Sequence, residues 1–274
     1  MRAVWITGAG GLIGSHLVQS APAFAPGLEA VGLTRERLDL GDFNAVRREF
    51  ARQRPALVIH CAAISKSPDC QANPILARRV NVDATALLAD LASDIPLIFF
   101  SSDLVFDGRK GDYDETDSVN PLSVYAETKA EAERLVLANP GHTVVRTSLN
   151  SGTSPSGNRS FDEEAEAAWR AGRVLTFFSD EFRCPIAAPV TARAVWELAA
   201  RNRPGLYHLA GSERLSRLGI GQILAARRPD LHPQFIAASL KEHRGAPRAP
   251  DTSLNCSKIQ KLLSFPLPRW SESH

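Results

Sequence analysis

The N-terminal residues 3–14, AVWITGAGGLIG, constrain the fold of this chain more than any other stretch. A short apolar run bounded by glycine is typical of a strand that is buried on both faces. Three spaced glycines, Gly8, Gly11 and Gly14, follow it and lead into residues at helical spacing. Glycine permits the tight turn and lets a pyrophosphate approach bare N–H groups at a helix start. The stretch therefore predicts a dinucleotide-binding unit.

The rest of the chain repeats the alternation of strand and helix. Further strands are predicted at residues 29–33, 56–60, 97–101 and 142–146, with helices at 43–53 and 73–93 between them. Such alternation predicts an α/β fold, a doubly wound parallel sheet of the Rossmann type. Residues 1–150 are predicted to form the NAD(P)-binding core. Residues 151–274 are predicted to form a smaller C-terminal substrate-binding lobe that is partly interleaved with the core, with elements at 161–171, 174–179, 191–201 and 206–210.

The residues that follow each strand are candidates for binding the cofactor, because parallel sheets bind ligands beyond the carboxyl ends of their strands. Arg35 follows the second strand, where an arginine accommodates the 2′-phosphate of NADP. Glu36 could still reach a ribose, so NADP(H) is the preferred cofactor and NAD(H) is possible. The predicted cofactor-binding residues are Gly8, Gly11, Leu12, Ile13, Gly14, Thr34, Arg35, Asp39, Leu40, Cys61, Ala62, Ala63, Ser101, Tyr125 and Lys129.

A serine, a tyrosine and a lysine near the fourth strand are the candidate catalytic residues. A helix places Tyr125 and Lys129, which are four residues apart, on one face. The positive charge of a lysine lowers the pKa of a nearby phenol. Ser102 at the strand end could hold a carbonyl oxygen between itself and Tyr125. The three residues predict the proton-transfer half of a hydride-transfer reaction; the alternative for the pair is an ordinary amphipathic helix start.

Composition and charge exclude several other classes of protein. The formal net charge is +2 at pH 7, and the arginine pairs are separated by acids, which argues against a nucleic-acid partner. The four cysteines lack metal-ligand spacing, so we expect no metal and no disulfide framework. No signal peptide or membrane-spanning run is present, so the expected location is the cytoplasm.

These motifs resemble those of extended short-chain dehydrogenases/reductases. The matching residues are Thr7, Gly8, Gly11 and Gly14, the serine at position 102, and the Tyr125-x-x-x-Lys129 pair. Within that superfamily, residues 101–108 (SSDLVFDG), 125–131 (YAETKAE) and 180–185 (DEFRCP) are similar to the dTDP-4-dehydrorhamnose reductase family. That family reduces a 4-keto sugar attached to dTDP, using NADPH or NADH.

The resemblance implies a reductase of a keto group on a nucleotide-linked sugar, and a possible homodimer. Tyr125 would donate the proton to the nascent alkoxide. Lys129 would lower the pKa of the tyrosine and hydrogen-bond the nicotinamide ribose, while Ser102 would orient the carbonyl. Asp103 and Arg183 are the implied substrate-binding residues.

Two positions depart from the family pattern at residues that face the sugar nucleotide in the family. Leu104 stands where members commonly carry a tyrosine, and Leu149 stands where an aromatic residue often follows Arg-Thr-Ser. Dehydratase relatives carry a glutamate at the first of these positions, so Leu104 argues against a dehydratase. The alternatives are a nucleotide-sugar epimerase and a non-catalytic NADP-binding regulatory subunit that resembles the β subunit of methionine adenosyltransferase.

Overall fold

The computed structural model describes residues 2–272, in which strands and helices alternate as the sequence predicts. The strands are β1 Arg2–Thr7, β2 Leu28–Leu33, β3 Leu57–His60, β4 Leu97–Ser102, β5 Thr143–Thr147, β6 Asn150–Ser151, β7 Leu175–Phe178, β8 Phe182–Arg183, β9 Ile186–Ala187, β10 Gly205–Leu209, β11 Leu215–Ser216 and β12 Phe235–Ala238. The helices are α1 Leu12–Phe24, α2 Phe43–Gln53, α3 Ser67–Ala72, α4 Pro74–Arg78, α5 Ala84–Leu91, α6 Val124–Leu137, α7 Phe161–Arg170, α8 Ala188–Arg201, α9 Arg217–Arg227 and α10 Ser257–Gln260.

Six strands form a central sheet in the order β2-β1-β3-β4-β5-β10, and every neighbouring pair is parallel. The chain leaves β1 for β2 on one side and then crosses back to β3 on the other. Ligands in open α/β sheets bind where the strand order reverses in this way. The predicted parallel sheet is confirmed, and its switch point lies between β1 and β3.

Each strand of the sheet sends side chains to two apolar layers, because successive residues of a strand point to opposite faces. Trp5 and Phe99 pack with Leu88 of α5 in one layer, which α2 and α6 also cover. Ile6 packs with Trp196 of α8 in the other layer, which α1 also covers. Burial of both faces explains why the strands read as continuous apolar runs.

The residues after position 150 form small sheets and also return to the central sheet. Three two-stranded pairs, β6–β9, β7–β12 and β8–β11, lie beside a cluster that includes Trp169, Phe177 and Trp270. Strand β10 extends the central sheet, and Ile259 of α10 belongs to its core. The boundary near residue 150 stays a prediction.

The long helix predicted over residues 73–93 is present over residues 74–91 as one continuous helical run that begins after Asn73. Asn73 ends α3, and its side chain accepts a hydrogen bond from the N–H of Leu76 at 3.0 Å, which caps α4. Pro74 occupies the first position of α4, where it needs no N–H partner. A π-helical turn at Arg79–Asp83 then joins α4 to α5. Among residues 2–272, no helix is both long and apolar enough to cross a bilayer.

Candidate active site

The glycine turn after β1 packs against the loop after β3. Gly8 has a φ of +68°, which side-chain-bearing residues rarely adopt. A Cβ added there would lie 2.7 Å from the backbone nitrogen of Ala62, and a Cβ added at Gly14 would overlap the carbonyl oxygen of Gly8. The glycines therefore leave bare backbone at the start of α1, as a bound pyrophosphate requires.

The loop after β2 lies next to this turn. The N–H of Ala9 donates to the carbonyl oxygen of Leu33 at 3.2 Å. Beyond it, the side chain of Arg35 is 85% exposed and its Nε lies 3.8 Å from a carboxylate oxygen of Asp39. Leu40 is buried. Arg35 is thus free to bind an anion at the edge of the glycine turn, since an exposed ion pair of this length is weak.

A buried histidine holds the ends of β1 and β3 together. Thr85 Oγ1 donates its proton to the carbonyl oxygen of Asn81 at 2.8 Å, so it accepts from His60 Nε2 at 2.9 Å. The other ring nitrogen, Nδ1, then accepts from Thr7 Oγ1 at 2.7 Å. Burial lowers the pKa of His60 to about 3, and the charge of Lys129 adds to the effect, so the ring is neutral.

The same chain of hydrogen bonds includes a predicted cofactor-binding residue, since the N–H of Ala62 donates to Thr7 Oγ1 at 3.2 Å. Cys61 and Ala63 flank Ala62 and are also half-buried. Sequence reasoning missed the roles of His60 and Thr7. The available signal was two polar residues at the ends of otherwise apolar strands.

Asn81, in the π-helical turn, was also missed. Its Oδ1 accepts from the N–H of Ile64 at 2.8 Å, and its Nδ2 donates to the carbonyl oxygen of Ile64 at 3.1 Å and to Thr128 Oγ1 at 3.0 Å. Thr128 in turn donates to the carbonyl oxygen of Tyr125 at 2.7 Å. Asn81 therefore fixes the loop after β3 against the first turn of α6. π-Helical turns often mark functional sites.

Ser102 and Tyr125 lie together at the carboxyl end of β4, and Lys129 follows Tyr125 by one turn of α6. Ser102 is the last residue of β4; its hydroxyl lies next to the Tyr125 phenol and donates a hydrogen bond to Asp103 Oδ1 at 3.1 Å. Tyr125 is half-buried in the first turn of α6. Lys129 is 3% exposed, and its Nζ lies 4.0 Å from the centroid of the Phe99 ring. Ser101 Oγ is buried without a hydrogen-bond partner among the described residues.

The expected net lowering of the tyrosine pKa is not found in this structure, because burial dominates. Burial raises the pKa of Tyr125 well above its usual value, although the neighbouring Ser102 hydroxyl opposes the rise. Burial also lowers the pKa of Lys129 to about 7, with Glu133 opposing. Desolvation therefore outweighs the attraction between charges. Tyr125 keeps its proton at neutral pH, which a proton donor must do.

Asp103 and Arg183 lie together behind Ser102 and are both 4% exposed. Asp103 Oδ2 accepts from Ser148 Oγ at 2.7 Å and from Thr252 Oγ1 at 2.9 Å, and lies 3.8 Å from Arg183 Nε. Arg183 Nη2 donates to Glu181 Oε1 at 2.9 Å. Protein groups thus surround both side chains, and their assignment as substrate contacts stays a prediction.

The two departures from the expected pattern border this cluster. The N–H of Leu104 donates to Ser102 Oγ at 3.2 Å, so its backbone orients the candidate catalytic hydroxyl. Leu149 packs at the edge of the apolar cluster around Trp270. Within residues 2–272, no group of three or more potential ligands is arranged to bind a metal ion.

The fold and the Ser102, Tyr125 and Lys129 arrangement define a protein of the extended short-chain dehydrogenase/reductase class. Residues 1–274 match the RmlD substrate binding domain family, and the chain belongs to that family. The resemblance to dTDP-4-dehydrorhamnose reductases is confirmed.

Three similar proteins illustrate the relationship. A dTDP-4-dehydrorhamnose reductase of Sinorhizobium fredii is 29% identical over 98% of this chain and 94% of its own length. The methionine adenosyltransferase 2 subunit beta of Xenopus laevis is 30% identical over 95% of this chain and 82% of its own length. The structure of a Bacillus anthracis dTDP-4-dehydrorhamnose reductase in complex with NADP has a TM-score of 0.90 at 21% identity, over 99% of this chain and 97% of that one.

Proposed function

We propose that this chain is an NADP(H)-dependent reductase of a keto group on a nucleotide-linked sugar, similar to dTDP-4-dehydrorhamnose reductase. The observation that carries the proposal is that Ser102 and Tyr125 lie together, with Lys129 one helical turn further along α6, at the sheet edge that also holds the glycine turn. A dinucleotide site beside a protonated phenol is the arrangement that carbonyl reduction requires.

The proposed cofactor site runs along the carboxyl ends of β1, β2 and β3. Gly8, Gly11 and Gly14 would receive the pyrophosphate, and Arg35 would bind the 2′-phosphate that distinguishes NADP(H) from NAD(H). The N–H of Ala62, held by Thr7, faces the same turn. When bound, the cofactor supplies the hydride.

The protein supplies the proton and the orientation of the carbonyl. Ser102 and Tyr125 would both donate hydrogen bonds to the substrate oxygen, and Tyr125 would release its proton to the alkoxide. Lys129 is close enough to the end of β3 that its charge lowers the pKa values of His60 and Cys61. We infer that it hydrogen-bonds the cofactor ribose from there and stabilises the phenolate left by proton transfer.

A second candidate function is that of a non-catalytic NADP-binding subunit. The observation that favours it is the 30% identity to the beta subunit of methionine adenosyltransferase 2. The intact Ser102, Tyr125 and Lys129 group favours the reductase.

The experiment is to follow NADPH absorbance in the presence of dTDP-4-dehydro-6-deoxy sugars. We expect wild-type protein to oxidise NADPH, and Tyr125→Phe to lose about 10²- to 10⁴-fold in turnover because it lacks the proton donor. NADPH affinity, measured by fluorescence, is expected to change little.

Tyr207→Phe is the matched control, since Tyr207 lies on β10 away from the strand end that carries Ser102. That variant is expected to keep wild-type turnover. If NADPH binds but no 4-keto nucleotide sugar oxidises it, the reductase proposal is contradicted and the non-catalytic subunit is favoured. Interconversion of sugar epimers without net oxidation of NADPH would indicate an epimerase.

A further inference from the structure

Arg217, at the start of α9, has a buried guanidinium nitrogen with nothing to bond. Its Nη1 is shielded from solvent and has no hydrogen-bond partner among the described residues. The side chain makes a ring contact, with its guanidinium carbon 5.8 Å from the centroid of Phe161. A buried, unsatisfied N–H of a charged group costs free energy, so such a group is normally retained for a ligand or a specific contact.

The carboxylates nearest to Arg217 are already paired with other arginines. Arg183 and Arg248 both donate to the carboxylate of Glu181, each at 2.9 Å, and Arg183 also approaches Asp103. Three arginines therefore face two carboxylates. The nearby Arg214 is already paired with Asp251.

One positive charge is consequently uncompensated in this cluster, and Arg217 carries it. Burial lowers the pKa of Arg217 to about 10, and the charges of Arg183 and Arg248 lower it further while Glu181 opposes. The direction is that expected for a cation removed from water.

The cluster is continuous with the candidate active site. Asp103 follows Ser102 directly, and its charge acts on the pKa values of both Tyr125 and Arg217. The backbone N–H of Arg217 donates to the carbonyl oxygen of Glu181 at 2.7 Å, which holds the start of α9 against the cluster. An anionic group attached to the substrate could therefore reach Arg217 while the keto oxygen lies at Ser102.

We propose that Arg217 binds the diphosphate of a nucleoside-diphosphate-linked sugar. This inference rests on the proposed function for its substrate class. A guanidinium presents a planar set of donors that matches phosphate oxygens, and its charge is weakly hydrated. The keto group and the diphosphate are on different ring carbons of such a sugar, so one end can react while the other is held by Arg217.

The test compares binding of dTDP and of thymidine by calorimetry, without NADPH or turnover. We expect Arg217→Gln to weaken dTDP binding by about tenfold to a hundredfold, as expected for the loss of a charged hydrogen-bond donor. Thymidine affinity and NADPH affinity are expected to stay as in the wild type. In turnover, the same variant should raise KM for the nucleotide sugar and leave kcat nearly unchanged.

Arg228→Gln is the matched control. Arg228 follows the other end of α9 and is paired with Glu166 and Asp230, so its loss should leave dTDP binding unchanged. Arg217→Lys keeps the charge without the planar donors and should bind dTDP with intermediate affinity.

Equal dTDP affinity of wild type and Arg217→Gln would overturn the proposal, as would equal losses in Arg217→Gln and Arg228→Gln, or no dTDP binding by the wild type. Binding of dTDP through Arg217 without reduction of any keto sugar would keep this inference and contradict the proposed reductase function. Reduction of a keto sugar by the wild type, together with unchanged dTDP affinity in Arg217→Gln, would support the reductase function and overturn the inference about Arg217.

Discussion

At the scale of single residues, burial decides the behaviour of the site more than charge does. The spacing of Tyr125 and Lys129 correctly predicts that they share the start of one helix. It does not predict that both are desolvated, which moves the pKa of Tyr125 up and that of Lys129 down. His60 and Asn81 were missed for the same reason, because a sequence does not show which polar residues are buried against each other.

The buried lysine gives a prediction about stability. The pKa of Lys129 falls from 10.5 to about 7 on folding, so the unfolded chain binds more protons between these values. The free energy of unfolding therefore rises with pH over that window, and the cost of burying Lys129 is greatest at and below pH 7. Lys129→Met is expected to stabilise the protein by about 2 kcal/mol or more at pH 6.5 and by less at pH 9.5.

Thermal denaturation at the two pH values measures this difference. Lys241→Met is the control. Because Lys241 is exposed, its replacement should have the same small effect on stability at both pH values. A gain from Lys129→Met that does not depend on pH would show that the lysine is solvated in the folded protein.

At the scale of elements, local signals predict those parts of the fold that depend on neighbouring residues. The helix at residues 43–53 was predicted, and in the structure Asp42 caps it by accepting from the N–H of Ala45 at 2.9 Å. The helix at 73–93 was predicted from apolar spacing alone. In the structure that helix begins at Pro74, directly after the Asn73 cap, and it contains a π-helical turn. That turn depends on the contacts of Asn81 with another loop, which no local pattern contains.

The first βα unit gives the prediction at this scale. A Cβ at position 14 would overlap the carbonyl oxygen of Gly8, and such overpacking costs about 1–3 kcal/mol. Gly14→Ala is therefore expected to weaken NADPH and NADH binding alike, by about tenfold or more.

Arg35→Ala is the comparison, because the side chain is exposed and would contact only the 2′-phosphate. It should weaken NADPH binding and spare NADH binding in the same fluorescence titration. Equal losses of the two cofactors in Arg35→Ala would remove the basis for the preference for NADP(H), and wild-type affinities in Gly14→Ala would place the cofactor elsewhere.

At the scale of the whole molecule, the fold class was predictable and the path of the later chain was not. Regular alternation of strands and helices indicates a parallel sheet, whichever strands turn out to be neighbours in it. The strand predicted at residues 206–210 was placed in the partly interleaved C-terminal lobe, and its pairing partner was not predicted, since strand pairing is set by tertiary packing. In the structure, β10 pairs with β5 and completes the sheet. The residues around Arg217 likewise come together from separate segments, so their charge balance was not visible in the sequence.

The central claim is that the cofactor and the Ser102, Tyr125 and Lys129 group act on one substrate. The most direct measurement is the transfer of deuterium from NADPH deuterated at the reactive C4 position to a dTDP-4-keto sugar, followed by mass spectrometry of the sugar product. We expect the reduced sugar to gain one deuterium, and Tyr125→Phe to abolish most of this product. NADPH that binds tightly and leaves no deuterium on any 4-keto nucleotide sugar would contradict the claim.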